Sequence, residues 1–141
     1  MAPARDVLLD TGPLVAVLDA RDQWHSRCVD AWPTLIDRCV TVEAVVTEAC
    51  HLVLRGGGDA HTPLDFLIVA EIPILGLEPA GHRRAASLMK QYAKLPMDFA
   101  DACLVAVSEA LHITEVFTTD RRGFLAYRPP RGKRFTLRPE R

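Results

Sequence analysis

Residues 7–19, VLLDTGPLVAVLD, decide the architecture. Val7, Leu8 and Leu9 form a short apolar run that stops at a carboxylate, Asp10. That is the pattern of a buried central strand ending at the rim of a sheet. Thr11, Gly12 and Pro13 then punctuate the chain. Thr11 or Gly12 suits a helix cap and Pro13 suits the first turn, so a helix is expected through Leu14 to Asp19.

The same alternation continues outward. Val29, Trp32, Leu35 and Ile36 recur at helical spacing, which predicts a second helix over Trp24–Arg38. Val40–Val42 is a short strand, followed by a helix from Glu43 to Leu54 that stops at Gly56-Gly57-Gly58. Pro63–Ala70 is expected to be a short helix and Ile72–Leu77 a strand. Pro79 opens a helix to about Lys94, with Ala85, Leu88, Met89 and Tyr92 on one face, and Leu95-Pro96 ends it. Asp98 caps an apolar helix from Phe99 to Leu111. Val116–Thr118 is a third strand running into Asp120, and Phe124–Tyr127 and Arg134–Leu137 are expected as short strands. Strands alternating with helices predict an α/β fold with a mostly parallel sheet between helical layers. Neither repeats nor a linker divides the chain, so residues 1–141 are expected to form one domain.

Composition narrows the class. Hydrophobic residues make up 49% of 141, enough for one core, and 25% are charged, an ordinary globular share. No apolar run reaches the length of a membrane span, and Asp6 and Asp10 interrupt the segment where a leader peptide would need an apolar stretch. Cys28, Cys39, Cys50 and Cys103 form no C-x-x-C pair, which argues against a zinc or thioredoxin motif. They are expected as reduced thiols in a cytoplasmic protein. The net charge of −1 hides an asymmetry: residues 1–120 carry nine Lys/Arg against seventeen Asp/Glu, and residues 121–141 carry eight against one. An acidic body with a basic tail can hold a cation in one place and meet a polyanion in another.

In an open parallel sheet, sites form outside the carboxyl ends of the strands. Asp10 and Asp120 follow two such ends, and Glu48 and Asp101 lie in helices near them. Asp98 is accounted for equally well as a helix cap, worth about 0.3–1 kcal/mol against the helix dipole. Asp101 and Glu48 are harder to explain that way. Each is embedded among apolar residues, and a carboxylate there needs a cation or hydrogen-bond donors to offset desolvation. Converging carboxylates also repel and raise one another's pKa. A divalent cation resolves both problems. All-oxygen ligands suit Mg²⁺ or Mn²⁺, and one or two such ions beside a phosphodiester point to metal-assisted hydrolysis.

The segments LLDTGPLVAVLD (8–19), VTEAC (46–50), LPMDFADACLVAVSE (95–109) and VFTTDRRGF (116–124) resemble, in order and spacing, the PIN domains, and in particular the VapC-type toxins of bacterial toxin–antitoxin pairs. The resemblance spans nearly the whole chain. It implies a three-layer α/β/α fold and Mg²⁺- or Mn²⁺-dependent cleavage of RNA that leaves a 5′-phosphate and a 3′-hydroxyl. It places the family's acidic quartet on Asp10, Glu48, Asp101 and Asp120, with Asp98 as an accessory acid. It also implies a homodimer and a small cognate antitoxin that covers the site. Thr11 and Thr119 neighbour the acids and are expected to bond to them or to a water. Arg121 and Arg122 are the expected phosphate contacts, with Arg128, Arg131, Lys133 and Arg134 as a lesser basic group along an RNA backbone.

His25 is read first as a helix-start residue, with an approach to the substrate phosphate as the alternative; Trp24 and Trp32 are read as core or interface aromatics, with base stacking the alternative for Trp24, and His51 as a packing or surface residue. Asp10-Thr11-Gly12 also occurs in aspartic proteases, but the helical periodicity here opposes their β-rich fold. A doubly wound phosphatase needs a second Asp where Gly12 stands. A phospho-accepting receiver needs an acid ending the middle strand, where the nearest are Glu71 and Glu78. The remaining rival is a PIN-fold module that grips RNA or protein with little or no cleavage. An intact set of costly carboxylates disfavours it.

Overall fold

The computed structural model describes residues 4–140. Five strands, β1 (Val7–Leu9), β2 (Cys39–Val42), β3 (Ile74–Leu75), β4 (Glu115–Phe117) and β5 (Thr136–Arg138), lie in the order β3-β2-β1-β4-β5. Every neighbouring pair is parallel. The helices are α1 (Thr11–Leu18), α2 (His25–Leu35), α3 (Glu43–Arg55), α4 (Thr62–Val69), α5 (Pro79–Gln91), α6 (Phe99–Leu111) and α7 (Arg121–Ala126). This is the three-layer α/β/α arrangement expected from the alternation. The first three residues of the segment weighed as a leader, and Arg141 of the basic tail, lie outside the described residues.

Strand order sets the position of the site. From β1 the chain builds outward to β2 and β3, then returns to place β4 and β5 on the other side of β1. The order therefore reverses between β1 and β4, the point where open α/β sheets bind ligands beyond the carboxyl ends of their strands. Asp10 follows one of those ends and Asp120 lies just past the other.

Burial explains the apolar runs. Val7, Leu8, Leu9, Cys39, Val40 and Val42 are buried, as both faces of a central parallel sheet must be. Residues Ala100–Ser108 of α6 are buried without a break, because α5, α3 and β2 pack around it. A helix apolar all round belongs in such a position. Trp32 joins the core by stacking on Phe66 and Phe117, with ring centroids 5.2 and 5.8 Å away. Cys28, Cys39, Cys50 and Cys103 are free. Burial pushes the thiols of Cys28, Cys39 and Cys103 up to about 11, 12 and 11, which makes them inert packing groups.

Several expected elements change. The segment Phe124–Tyr127 is not a strand: most of it lies in α7, whose N-cap is Asp120, with Oδ1 accepting from the Gly123 N–H at 3.0 Å. Phe124 and Tyr127, three residues apart, stack edge-to-face at 5.1 Å, so helical spacing serves this aromatic pair. The last strand is Thr136–Arg138 rather than Arg134–Leu137. The strand expected over Ile72–Leu77 shrinks to Ile74–Leu75, since Pro73 has no N–H to give a ladder and only its carbonyl pairs, with Thr41. The second helix ends at Leu35 and tightens into a 3₁₀ turn, Ile36–Arg38, just past Pro33. Finally, α1 is capped by Asp10 itself, not by Thr11 or Gly12.

Candidate active site

The parallel register of β1 and β4 pairs Leu9 with Phe117, so Asp10 and Thr118 stand next to each other one step beyond. The Thr118 hydroxyl donates to Asp10 Oδ2 at 2.7 Å and accepts from the Asp120 N–H at 2.9 Å. It thereby ties together the two acids that end these strands. Asp10 Oδ1 accepts from the Thr11 N–H at 2.8 Å. Burial nevertheless dominates and pushes Asp10 up to about 6, against the Thr118 and Thr11 bonds and with help from the charges of Glu48 and Asp120.

Asp101 enters from the first turn of α6. Its N–H donates to Asp98 Oδ1 at 2.8 Å, so Asp98 is the helix cap, as its position predicted. Tyr127 donates its hydroxyl to Asp101 Oδ2 at 2.8 Å. Burial pushes Asp101 up to about 8; Asp10 and Asp98 add to the rise, Tyr127 opposes it, and Asp120 adds a little more. Glu48 is half-buried on α3 and is also raised, first by burial, with Thr11 opposing and Asp98 adding. Asp98 and Asp120 are exposed at the mouth. The structure thus brings Asp10, Glu48, Asp98, Asp101 and Asp120 into one electrostatically coupled group.

Close packing holds the frame. A Cβ on Gly12 would lie 2.0 Å from Thr119 Oγ1, so only glycine lets α1 start against the end of β4. Thr119 therefore packs against Gly12, and the hydroxyl that reaches an acid belongs to its neighbour Thr118. A Cβ on Gly123 would lie 2.5 Å from Asp120 Oδ2 and 3.1 Å from the Tyr127 hydroxyl. Thr11 Oγ1 is buried and makes no hydrogen bond, although it lies near enough to Glu48 to favour the ionised carboxylate.

The donor set is all oxygen and suits a hard divalent cation. Among the described residues no group of three or more Asp, Glu, His or Cys side chains is arranged to hold a metal ion. Mg²⁺ needs only one or two carboxylates and keeps several waters. Beside the acids, Ala44, Glu48, His51, Asp98 and Phe99 line an open groove of about 540 Å³ between α3 and α6.

The remaining sequence candidates form no hydrogen bond with these acids among the described residues. Arg121 is half-buried and donates to the Pro139 carbonyl at 2.9 Å, while Arg122 is exposed. His25 Nδ1 donates to the Ala16 carbonyl at 2.6 Å, and the Arg27 guanidinium sits 3.8 Å over the Trp24 ring. Thr118 and Tyr127 were not among the residues singled out from the sequence. The first becomes visible only with the strand register, and the second was hidden by reading its segment as a strand.

Residues 7–128 match the PIN domain family. The chain belongs to the PIN-domain family. It is 30% identical to "Ribonuclease VapC26" of Mycobacterium tuberculosis over 135 residues, covering 94% of this chain and 100% of that protein. Among solved structures it resembles M. tuberculosis VapC20, described as a sarcin-ricin loop cleaving toxin, with a TM-score of 0.72 at 18% identity over 78% of this chain and 86% of that one. A toxin–antitoxin complex from Klebsiella pneumoniae gives 0.60 at 17% identity, covering 85% and 91%. VapBC2 from Rickettsia felis, bound to a DNA fragment from its promoter, gives 0.64 at 12% identity, covering 93% and 96%. The PIN-like fold expected from the sequence is the one observed.

Proposed function

We propose that this PIN domain is a divalent-metal-dependent endoribonuclease and the toxin of a toxin–antitoxin pair. The observation that carries the reading is the pair of buried acids, Asp10 and Asp101, held at the strand-order switch with their protons retained too tightly for isolated carboxylates. The identity with a protein named as a ribonuclease supports it over the whole chain.

Asp10, Asp101 and Asp120 would hold Mg²⁺ or Mn²⁺, one ion or two, with Asp98 accessory. When bound, the cation lowers the pKa of water and stabilises charge on the phosphate and leaving oxygens. Glu48, facing the groove, orients the attacking water and takes its proton. Attack forms a bond to phosphorus as the bond to the 3′-oxygen breaks, giving a 5′-phosphate and a 3′-hydroxyl. Thr118 and Tyr127 each occupy one carboxylate oxygen, fixing the direction in which the other points. Arg122, exposed just past the Asp120 cap, would meet the substrate phosphates, and the tie from Arg121 to Pro139 gives that arginine a smaller part.

The antitoxin and a homodimer belong to the same reading. Large apolar side chains, Leu52 of α3 and Leu64, Ile68 and Val69 of α4, are exposed on helices that pack together, a surface that protein partners cover. No described helix is long and apolar enough to cross a membrane.

The test is cleavage of a mixed RNA pool with Mg²⁺, with Mn²⁺ and with chelator. Metal-dependent cutting with 5′-phosphate ends is expected. A folded protein that cuts nothing with either metal would contradict the nuclease reading and favour a binding module. Co-expression with any small reading frame found beside this gene tests the toxin assignment: a stable complex that blocks cutting is expected, and recovery of the chain without that product contradicts it.

A further inference from the structure

The eight cations of residues 121–141 are not equivalent. Arg121 is spent on the Pro139 carbonyl, and Arg128 on the Leu125, Ala126 and Tyr127 carbonyls at the end of α7. Arg138 pairs with Glu115 at 2.7 Å and with Glu140. Arg122, Arg131, Lys133 and Arg134 are exposed, and none makes an ion pair or side-chain hydrogen bond with a described residue. Three of these four fall within one turn of chain. The backbone there is bent sharply, with Arg131 and Gly132 both left-handed (φ 70° and 71°), and Pro129 accepts from the Gly132 N–H at 3.2 Å.

Arg131 and Lys133 line a cleft of about 390 Å³ together with Pro130, His112 and Thr114. His112 ends α6 and Thr114 precedes β4, so the cleft lies at the amino end of the sheet, opposite the acids. Asp101 and His112 sit at opposite ends of α6, whose 13 residues span about 20 Å. The body of the protein is acidic and repels a polyanion, whereas this end presents unpaired cations beside hydroxyl and imidazole groups.

We propose that the Arg131–Lys133 cleft is a second RNA-binding site, taking backbone phosphates of a segment far from the bond that is cut. The inference rests on the ribonuclease reading for its choice of polyanion. The cleft adds affinity without reading bases, since cations on phosphates position the chain and do not specify sequence. Only an RNA long enough to reach around from the acids to the cleft can engage both at once.

The test is binding of the full chain to a long, mixed-sequence single-stranded RNA, followed by fluorescence anisotropy in chelator across a salt series. The variants are Arg131→Asn/Lys133→Gln, where Asn suits the left-handed backbone, and Lys133→Glu alone, each checked for folding by circular dichroism. Loss of two phosphate contacts should reduce the slope of log K against log salt by about 1.4 and weaken binding on the order of tenfold at moderate salt. An unchanged slope and affinity on the long RNA, or no binding of it by wild type, overturns the proposal. So does loss of binding to polyglutamate with RNA binding intact, which would assign the cleft to an acidic protein segment. Because chelator removes cutting from the measurement, failure here is distinct from failure of the nuclease reading, which the metal-dependent cleavage assay reports.

Discussion

Asp10 and Thr118 are neighbours across the strand-order switch, joined by a 2.7 Å hydrogen bond between residues 108 positions apart. The Thr118 hydroxyl also accepts from the Asp120 backbone, so one side chain sets the positions of two acids. Thr118→Val keeps the shape and removes the hydroxyl. It leaves a buried carboxylate oxygen without its donor, which costs about 1–3 kcal/mol. Urea unfolding should show that loss, metal-dependent cleavage should fall, and Thr118→Ser should restore both. A Val variant with wild-type stability and rate would remove the assigned role.

The raised acids make stability depend on pH in a defined direction. Asp10 and Asp101 hold their protons to about 6 and about 8 in the fold, against 3.8 when unfolded. Between those values the folded state binds more protons than the unfolded state, so stability falls as pH rises. In chelator the unfolding midpoint should be higher near pH 5 than near pH 8. Asp101→Asn should flatten the upper part of that dependence, and Mn²⁺ should restore stability at the higher pH by binding only the fold. A midpoint that rises from pH 5 to 8 in chelator contradicts the burial-driven shift.

Gly12 is fixed by space, not by φ. Gly12→Ala forces its methyl against Thr119 Oγ1 and should destabilise by about 1–3 kcal/mol. The double variant Gly12→Ala/Thr119→Ala removes the clashing oxygen and should recover part of that loss in thermal melts. Additive losses in the double variant would show that the contact is not what excludes a side chain.

Tyr127 donates to Asp101 from within an aromatic group that includes Tyr92 and Phe124, each with its ring centroid 5.1 Å away. Tyr127→Phe preserves that packing and frees Asp101 Oδ2. Calorimetric titration with Mn²⁺ should show weaker binding, because the proton on Asp101 is then harder to displace and the carboxylate is less well aimed. Unchanged Mn²⁺ affinity would make the tyrosine a packing residue only.

Much of this was legible in the chain itself. The apolar runs that end at Asp10 and Asp120 carry the strand-end chemistry, and the unbroken apolar surroundings of Asp101 foretold its burial. Asp98 was recognisable as a cap from its place before Phe99. What stayed hidden depends on contacts distant in sequence. Thr118 meets Asp10 only through the β1–β4 register, and the choice between Thr118 and Thr119 is a choice of strand face. Phe124 and Tyr127 have high strand propensity, but the Asp120 cap and the aromatic stacking make their segment helical. Nor does the list of tail arginines tell which are spent on carbonyls and carboxylates and which remain for a partner.

The central claim is that the buried acids form a metal-dependent nuclease centre. The most direct measurement is single-turnover cleavage of the RNA pool in Mn²⁺ by wild type and by Asp101→Asn, each shown to be folded. The account predicts that the variant, of equal or greater stability, loses cutting by several orders of magnitude. Full cleavage by a folded Asp101→Asn protein would contradict it.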